Sequence, residues 1–196
     1  MRARITLKRL RLPLLLVFFS APLLVSGLDD LFIGAKEKVE QVVTDEASPG
    51  ETVSLSTAEV NALFQGGLKE QGVEGVRDAK IELEQDAGTW SGVVDFDKVP
   101  QLAPLKSNFL LSSILTGSSP VSATAGLVSS GGQATVDVKQ VTIGGTKFEG
   151  GTLGFLVKQL VLFDHPDLEL GKPFDLEHNV ESIKLTAQGV AIKIKN

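Results

Sequence analysis

The sequence has no cysteine and no tyrosine, and only one tryptophan, one methionine and two histidines among its 196 residues. Without cysteine there is no disulfide framework, no thiol nucleophile and no cysteine for lipid attachment. Because histidine and cysteine are the usual ligands of transition metals, their scarcity argues against such a site. The sequence therefore predicts no cofactor and no metal centre.

Catalytic motifs are also missing. No serine stands in the G-x-S-x-G pattern of a nucleophile elbow. The glycine-rich stretch GGTKFEGGTLG lacks the G-x-G-x-x-G spacing of a dinucleotide-binding loop. Asp95 and Asp97 flank Phe96 and would share one face of a strand, where we expect them to form part of a solvated surface. His165 and His178 are expected in solvated loops. The sequence predicts a protein that is not an enzyme, and a hydrolase using Asp95 and Asp97 or His165 is the weakest alternative.

The N-terminal residues have the layout of a secretory signal peptide. Five basic residues within positions 2–11 precede an apolar run over Leu12–Leu28, which contains Pro13 and Pro22. Val25-Ser26-Gly27 then offers small or tolerated residues before a cleavage site. The run has 17 residues, the lower limit for a membrane span, so an uncleaved anchor is the alternative. We expect residues 1–27 to be a signal peptide or membrane anchor, and the rest to be exported.

The exported part is strongly acidic. Residues 1–27 contain five basic and no acidic residues, which leaves 14 basic and 24 acidic residues and a net charge of −10. Nucleic acid is therefore excluded as a partner, because its binding depends on neutralising phosphates. Simple electrostatic adhesion to anionic lipids is disfavoured as well. We expect a periplasmic protein, or one anchored to the inner membrane and facing outward.

Helix signals begin directly after this segment. Leu28–Val43 has an apolar stripe with three- and four-residue spacing, so residues 28–50 are predicted to form an amphipathic helix and a linker. The helix is either a stalk leaving the membrane or the first packed helix. Ser56 and Glu59 then form a capping-box pattern for a second helix, which Gly66-Gly67 would kink or end.

Alternating apolar and polar residues predict three hairpins, at 76–97, 121–143 and 182–195. Within the second hairpin the alternation changes phase at Lys139-Gln140, which predicts a β-bulge. Because hairpins dominate, residues 51–196 are expected to form a single α+β domain with an antiparallel sheet. Gly92, in the apolar row of the first hairpin, allows close packing or marks a bulge.

Two further segments are apolar on nearly every side, one from about Leu105 to Thr116 and one over Leu153–Phe163. A helix of this kind is buried in protein or in lipid. It forms half of a closed core, or it lines a groove for an apolar ligand, with room left by Gly92, Gly126, Ala123 and Ala125. The residues predicted to line such a groove are Trp90, Phe109, Leu110, Ile114, Phe155, Leu156, Leu160 and Val161.

The stretch Val53–Leu63, VSLSTAEVNAL, resembles the strand and S/T-x-x-E-L-N-x-L helix that open small exported bacterial proteins of the YpmS-type and LmeA-type families. The remaining order is similar over about Glu51–Asn196, including the Val141–Gly145 phrase and Pro173-Phe174. The resemblance implies a strongly curved antiparallel sheet wrapped around apolar helices, as in tubular lipid-binding (TULIP-like) domains. LmeA-type proteins are described as phospholipid-binding.

Together these observations predict an exported binding protein that holds a lipid or other amphiphile in an apolar groove at the cell envelope. Its contact with the membrane would be made through the N-terminal segment. The alternative is a structural or assembly protein of the envelope, with a closed core and a protein partner.

Overall fold

The computed structural model describes residues 30–99, 112–154 and 171–196. Within these residues the chain is α+β with antiparallel sheets, as predicted. The elements in chain order are α1 (Asp30–Val43), β1 (Thr52–Ser56), α2 (Thr57–Glu70), β2 (Val76–Glu84), β3 (Ala87–Asp95), β4 (Ser118–Ser130), β5 (Gln133–Ile143), β6 (Thr146–Phe148), β7 (Pro173–Asp175), β8 (Val180–Thr186) and β9 (Gly189–Ile194).

The strands form two sheets. The smaller sheet has the order β1-β9-β8, and the six-stranded sheet has the order β2-β3-β4-β5-β6, with β7 paired to the other end of β5. The three predicted hairpins are the pairs β2–β3, β4–β5 and β8–β9. The predicted bulge is confirmed, because the pairing of β4 with β5 skips Lys139 between Val138 and Gln140. Gly144-Gly145 is a tight turn that leads into the short strand β6.

Helix α1 is the first packed helix and not a free stalk. Its residues Phe32, Ala35, Val39 and Val42 are buried. Leu31, an apolar residue within the predicted amphipathic helix, is instead 52% exposed. Leu28, the predicted start of the helix, lies outside the described residues. The apolar stripe is therefore narrower than the sequence pattern indicated.

Helix α2 starts with the predicted capping box, in which the Ser56 hydroxyl accepts from the Glu59 N–H and the Glu59 carboxylate accepts from the Ser56 N–H. The helix runs to Glu70, so the prediction that Gly66-Gly67 would kink or end it is wrong. A Cβ at position 66 would overlap the Phe32 ring, with Cγ at 2.9 Å. The missing side chain thus lets α1 approach α2 closely.

The side chains of α2 also bind the outer edge of β2. Asn61 accepts from the Ile81 N–H at 2.7 Å and donates to the Ile81 carbonyl at 2.8 Å. Gln65 donates to the Ala79 carbonyl at 3.0 Å. These bonds satisfy backbone groups that an edge strand leaves unpaired. They also place α2 beside the six-stranded sheet.

Two apolar cores result. The first core lies among α1, α2, the small sheet and one end of the six-stranded sheet, and its buried members include Phe32, Val60, Leu83, Val180 and Ile183. The second core lies at the other end of the six-stranded sheet. Its buried members are Val94, Phe96, Leu115, Val141, Ile143, Phe148 and Leu153.

In the helix predicted up to Thr116, residue 112 is the only described residue that is helical. Residues 113–117 form turns and bends. The last predicted helix begins earlier than expected, since residues 150–154 are already helical. The rest of both predicted helices lies outside the described residues.

Candidate functional site

One face of the six-stranded sheet is apolar across all its central strands. Trp90 of β3 lies directly opposite Ala123 of β4, which lies opposite Val141 of β5, which lies opposite Phe148 of β6. Directly opposed residues of paired strands point to the same face. The strand alternation thus builds one continuous apolar surface, as the sequence pattern predicted for each hairpin separately.

The two cores cover different ends of this face. At the end of the second core, the covering side chains among the described residues are Phe96, Val99, Ile114, Leu115 and Leu153.

Trp90 lies where the two cores approach each other. It packs against the second core, while Ile81, directly opposite it in β2, packs against the first. The ring of Phe64 from α2 meets the indole edge-on, with centroids 6.4 Å apart and an interplanar angle of 72°. This geometry is favourable for aromatic pairs. The indole is thus held from the α2 side.

Gly92 makes the position of the indole possible. A Cβ at Gly92 would lie 3.3 Å from Cζ2 of Trp90, 3.2 Å from the Arg77 carbonyl oxygen and 3.3 Å from the Ala79 Cα. The pairing of β2 with β3 is irregular between Arg77 and Lys80 at this point. Both sequence expectations for Gly92, close packing and a neighbouring bulge, are therefore confirmed.

The indole N–H of Trp90 is buried and has no hydrogen-bond partner among the described residues. A buried donor without an acceptor costs about 1–3 kcal/mol. Buried tryptophan nitrogens usually find a partner for this reason. Trp90 as a whole is only partly buried, although its polar atom is inaccessible to solvent.

Of the predicted lining residues, the structure brings two together. Trp90 and Ile114 both pack, half-buried, against the second core. Phe109, Leu110, Phe155, Leu156, Leu160 and Val161 lie outside the described residues. Gly126 does not leave room on the apolar face. It pairs with Ala87 and Asp137 in the neighbouring strands and, like them, belongs to the other face of the sheet. A Cβ there would lie 3.2 Å from Cε of Lys139, the bulged residue.

In comparisons with known proteins, no protein-family model, no curated protein and no solved structure matches the chain. Among the described residues no helix is long and apolar enough to cross a membrane. The site is therefore interpreted from its own geometry.

Asp95 and Asp97, the carboxylates considered for catalysis, accept hydrogen bonds from backbone N–H groups of nearby loops. β3 ends at Asp95, whose Oδ1 accepts from the Asp97 N–H at 3.2 Å. Oδ2 of Asp97 accepts from the Gly117 N–H at 3.1 Å. The expectation that Asp95 and Asp97 share one face of a strand is therefore wrong. Both hold the loops that lead into the second core.

His178 is less solvated than the sequence indicated. Its side chain is 18% exposed, and Nε2 is buried without a hydrogen-bond partner in the described part of the chain, 3.9 Å from Glu177 Oε2. It lies in a tight turn in which His178 and Asn179 both have positive φ. His165 lies outside the described residues. Across residues 30–99, 112–154 and 171–196, no group of three or more acidic or histidine side chains is arranged to hold a metal.

Phe64 is the contact that sequence reasoning did not assign to the site. The helical stripe of α2 included Phe64, but nothing local shows which strand it faces. The alternation of β4 and β5, in contrast, predicted the apolar face of the second hairpin, to which Val121 and Val141 belong.

Proposed function

We propose that this chain is an exported, non-enzymatic binding protein of the cell envelope that holds a lipid or other amphiphile against the apolar face around Trp90. One observation carries the proposal: a partly buried indole between two cores, with the small side chain of Ala123 directly opposite it and a buried N–H that has no partner among the described residues. A surface of this kind suits an apolar ligand with few polar groups.

The driving force is the burial of apolar surface, at about 25 cal/mol per Å². It requires no charged or catalytic residue at the site. The described face fits this requirement, because the directly opposed residues Trp90, Ala123, Val141 and Phe148 are all apolar. An acyl chain in contact with Trp90 would extend over Ala123 and Val121.

We further propose that the six-stranded sheet is strongly curved around the apolar segments that contain Phe109, Leu110, Phe155, Leu156, Leu160 and Val161. The bulges at Arg77–Lys80 and at Lys139 support this, because a bulge bends its strand and increases its twist. This shape agrees with the resemblance to YpmS-type and LmeA-type proteins and their TULIP-like domains.

The N-terminal sequence supports a location at the envelope. The apolar run Leu12–Leu28 ends two residues before α1 begins at Asp30. The first turn of α1 exposes Leu31 and Ile33, at 52% and 47%. Exposed apolar side chains next to a membrane-directed segment favour a helix start close to the lipid surface, with the membrane contacted through the N-terminal segment.

Substituting Ala123 tests whether the face is a groove. Ala123→Leu adds bulk opposite Trp90, so we expect lipid to be lost from protein extracted under mild conditions, as seen by native mass spectrometry. The free energy of unfolding should change by less than about 1 kcal/mol, because an open groove accommodates the added methyl groups. Ser122→Leu, on the opposite face of the same strand, is the matched control and should keep the ligand.

A closed core predicts a different outcome. In that case Ala123→Leu overpacks the interior and lowers the free energy of unfolding by about 1–3 kcal/mol, while wild-type protein shows a bare polypeptide mass. The burial of Phe96, Leu115 and Leu153 favours this second candidate, a structural or assembly protein of the envelope with a protein partner.

A further inference from the structure

We propose that the first turn of α1 docks on a lipid surface with neutral or zwitterionic headgroups, and that anionic lipid weakens this contact. The inference rests on the membrane contact in the proposed function and deepens it by naming the class of lipid. It depends on exposed side chains of α1 alone. It is therefore independent of whether an amphiphile lies against Trp90.

The apolar part of this docking surface lies at the start of α1. In the part of the chain that the structure describes, three large hydrophobic side chains are exposed, and two of them, Leu31 and Ile33, lie in the first turn of this helix. Gly34, next to Ile33, has open space where a Cβ would lie. The apolar run Leu12–Leu28 directly precedes the turn in the sequence. A run of this length and composition favours lipid as the occupant.

The exposed stripe of α1 that contains Ile33 is acidic. Residues three, four or seven positions apart share one face of a helix. Around Ile33 these positions hold Asp30, Glu37 and Glu40, and all three residues are exposed. Among the described residues, none of the three carboxylates has a cationic partner. The apolar contact is therefore flanked by uncompensated negative charge.

The two lysines of α1 do not neutralise this stripe. The Lys36 amine lies 2.9 Å from the Glu70 carboxylate, and the Lys38 amine lies 2.6 Å from that of Glu59. Both carboxylates belong to α2, so each amine is held toward the second helix. Either lysine would have to break an ion pair to reach a lipid phosphate. The docking surface thus offers anionic lipid no free cation.

Electrostatic repulsion then selects the lipid. Glu40 lies about 10 Å from Ile33 along the helix axis. This separation is about one Debye length at physiological ionic strength. A leaflet rich in anionic lipid has a negative surface potential, which repels carboxylates at this distance. A neutral or zwitterionic leaflet allows Leu31 and Ile33 to be buried without that cost.

The test follows the first turn of α1 with a dye. Because the chain contains no cysteine, Gly34→Cys gives a single labelling site, and its open surroundings accept the label. The labelled full-length chain is reconstituted in vesicles of phosphatidylcholine, with or without phosphatidylglycerol. The measured quantity is the fraction of dye that doxyl-labelled lipid quenches. We expect strong quenching in phosphatidylcholine and about fivefold less with phosphatidylglycerol at low salt, the effect of one carboxylate near a surface of like charge.

Two controls separate this contact from general effects of the vesicle. A dye attached through Val128→Cys, at a 69% exposed position of β4, should not be quenched in either vesicle. Joint Glu37→Gln and Glu40→Gln substitution should restore quenching in the anionic vesicles. The matched change of Glu82 and Glu84, exposed carboxylates of β2, should leave it low. High salt should also restore quenching, because it screens the repulsion.

The outcomes that overturn the inference are distinct from failure of the amphiphile site. Equal or stronger quenching with phosphatidylglycerol, or no recovery after neutralising Glu37 and Glu40, would overturn the selection against anionic lipid. No quenching in phosphatidylcholine would overturn the docking of α1 and leave its exposed stripe to a protein partner. Binding of an amphiphile is measured separately through the indole fluorescence of Trp90, so none of these results decides it.

Discussion

At the scale of single residues, Lys38 of α1 joins the capping box of the next helix. Its amine lies 2.6 Å from Glu59 Oε1 and also donates to the Ser54 carbonyl at 3.1 Å. Burial raises the pKa of Glu59, but hydrogen bonds from Lys38 and from the Ser56 N–H and hydroxyl outweigh it, so the pKa lies below its ordinary value of 4.5. The ionised form of Glu59 therefore stabilises the fold.

Replacing Glu59 with glutamine tests this ionic contribution. A lowered pKa in the folded state means that the stabilisation is present above 4.5 and is lost as the pH falls through the folded-state pKa. Because glutamine keeps the capping geometry, Glu59→Gln should cost only about 0.5–1 kcal/mol at neutral pH. Urea unfolding at several pH values measures the difference.

The control for that series is Ser56→Ala, which removes the cap itself and should cost about 1 kcal/mol. The difference in the free energy of unfolding between wild type and Glu59→Gln should shrink as the pH falls well below 4.5. A difference that stayed constant from neutral pH would mean that the ionised carboxylate is not the stabilising form.

At the scale of elements, two helical glycines have opposite roles. Gly34 in α1 has open space where a Cβ would lie, whereas a Cβ at Gly66 in α2 would collide with the Phe32 ring. Phe32 is almost fully buried, so the ring has nowhere to move cheaply. Glycine at 66 is kept for helix packing, and glycine at 34 has no such constraint.

Alanine substitutions at Gly34 and Gly66 should therefore change the free energy of unfolding in opposite directions. Gly34→Ala should stabilise the protein by up to about 1 kcal/mol, because alanine is the better helix former. Gly66→Ala should destabilise it by about 1–2 kcal/mol, since overpacking between α1 and α2 exceeds the gain in helix propensity. Denaturant unfolding of both variants measures this, and a stabilised Gly66→Ala variant would contradict the close approach of the two helices.

The same contrast shows what the sequence determines at this scale. Local patterns predicted the hairpins, the capping box and the bulge at Lys139, because each depends on neighbouring residues. They did not predict that α2 continues through Gly66-Gly67, because the reason is Phe32, on another helix. The three-residue strands β6 and β7 were missed since such short segments show no alternation.

At the scale of the whole molecule, the two cores formed by the described residues share one sheet face, and Trp90 lies between them. Alternation within the strands predicted an apolar face. It did not show that α1, α2 and the small sheet cover one end only, because that division results from contacts between residues far apart in the sequence. Ser129, whose hydroxyl bonds both the N–H and the carbonyl of Ile183, is one such link between the sheets.

The start of α1 is the part of the molecule expected to meet the lipid surface. For the chain that begins at Leu28, joint Leu31→Ser and Ile33→Ser substitution should weaken binding to phosphatidylcholine vesicles about tenfold, because two half-exposed apolar side chains are lost. Val128→Ser is the control, since Val128 is 69% exposed on β4, away from the N-terminal segment. Equal effects of the Leu31/Ile33 and Val128 changes in a co-sedimentation assay would indicate nonspecific adsorption of exposed apolar side chains and not a membrane contact at the start of α1.

Binding of an amphiphile against Trp90 can be measured directly. The chain has one tryptophan and no tyrosine, so its intrinsic fluorescence reports on this position alone. An acyl ester with a brominated chain quenches an indole only on contact. We expect saturable quenching of Trp90 by this ester, with competition from the unbrominated molecule. Unchanged emission at saturating ester would contradict a ligand site on this face and leave the closed core as the better description.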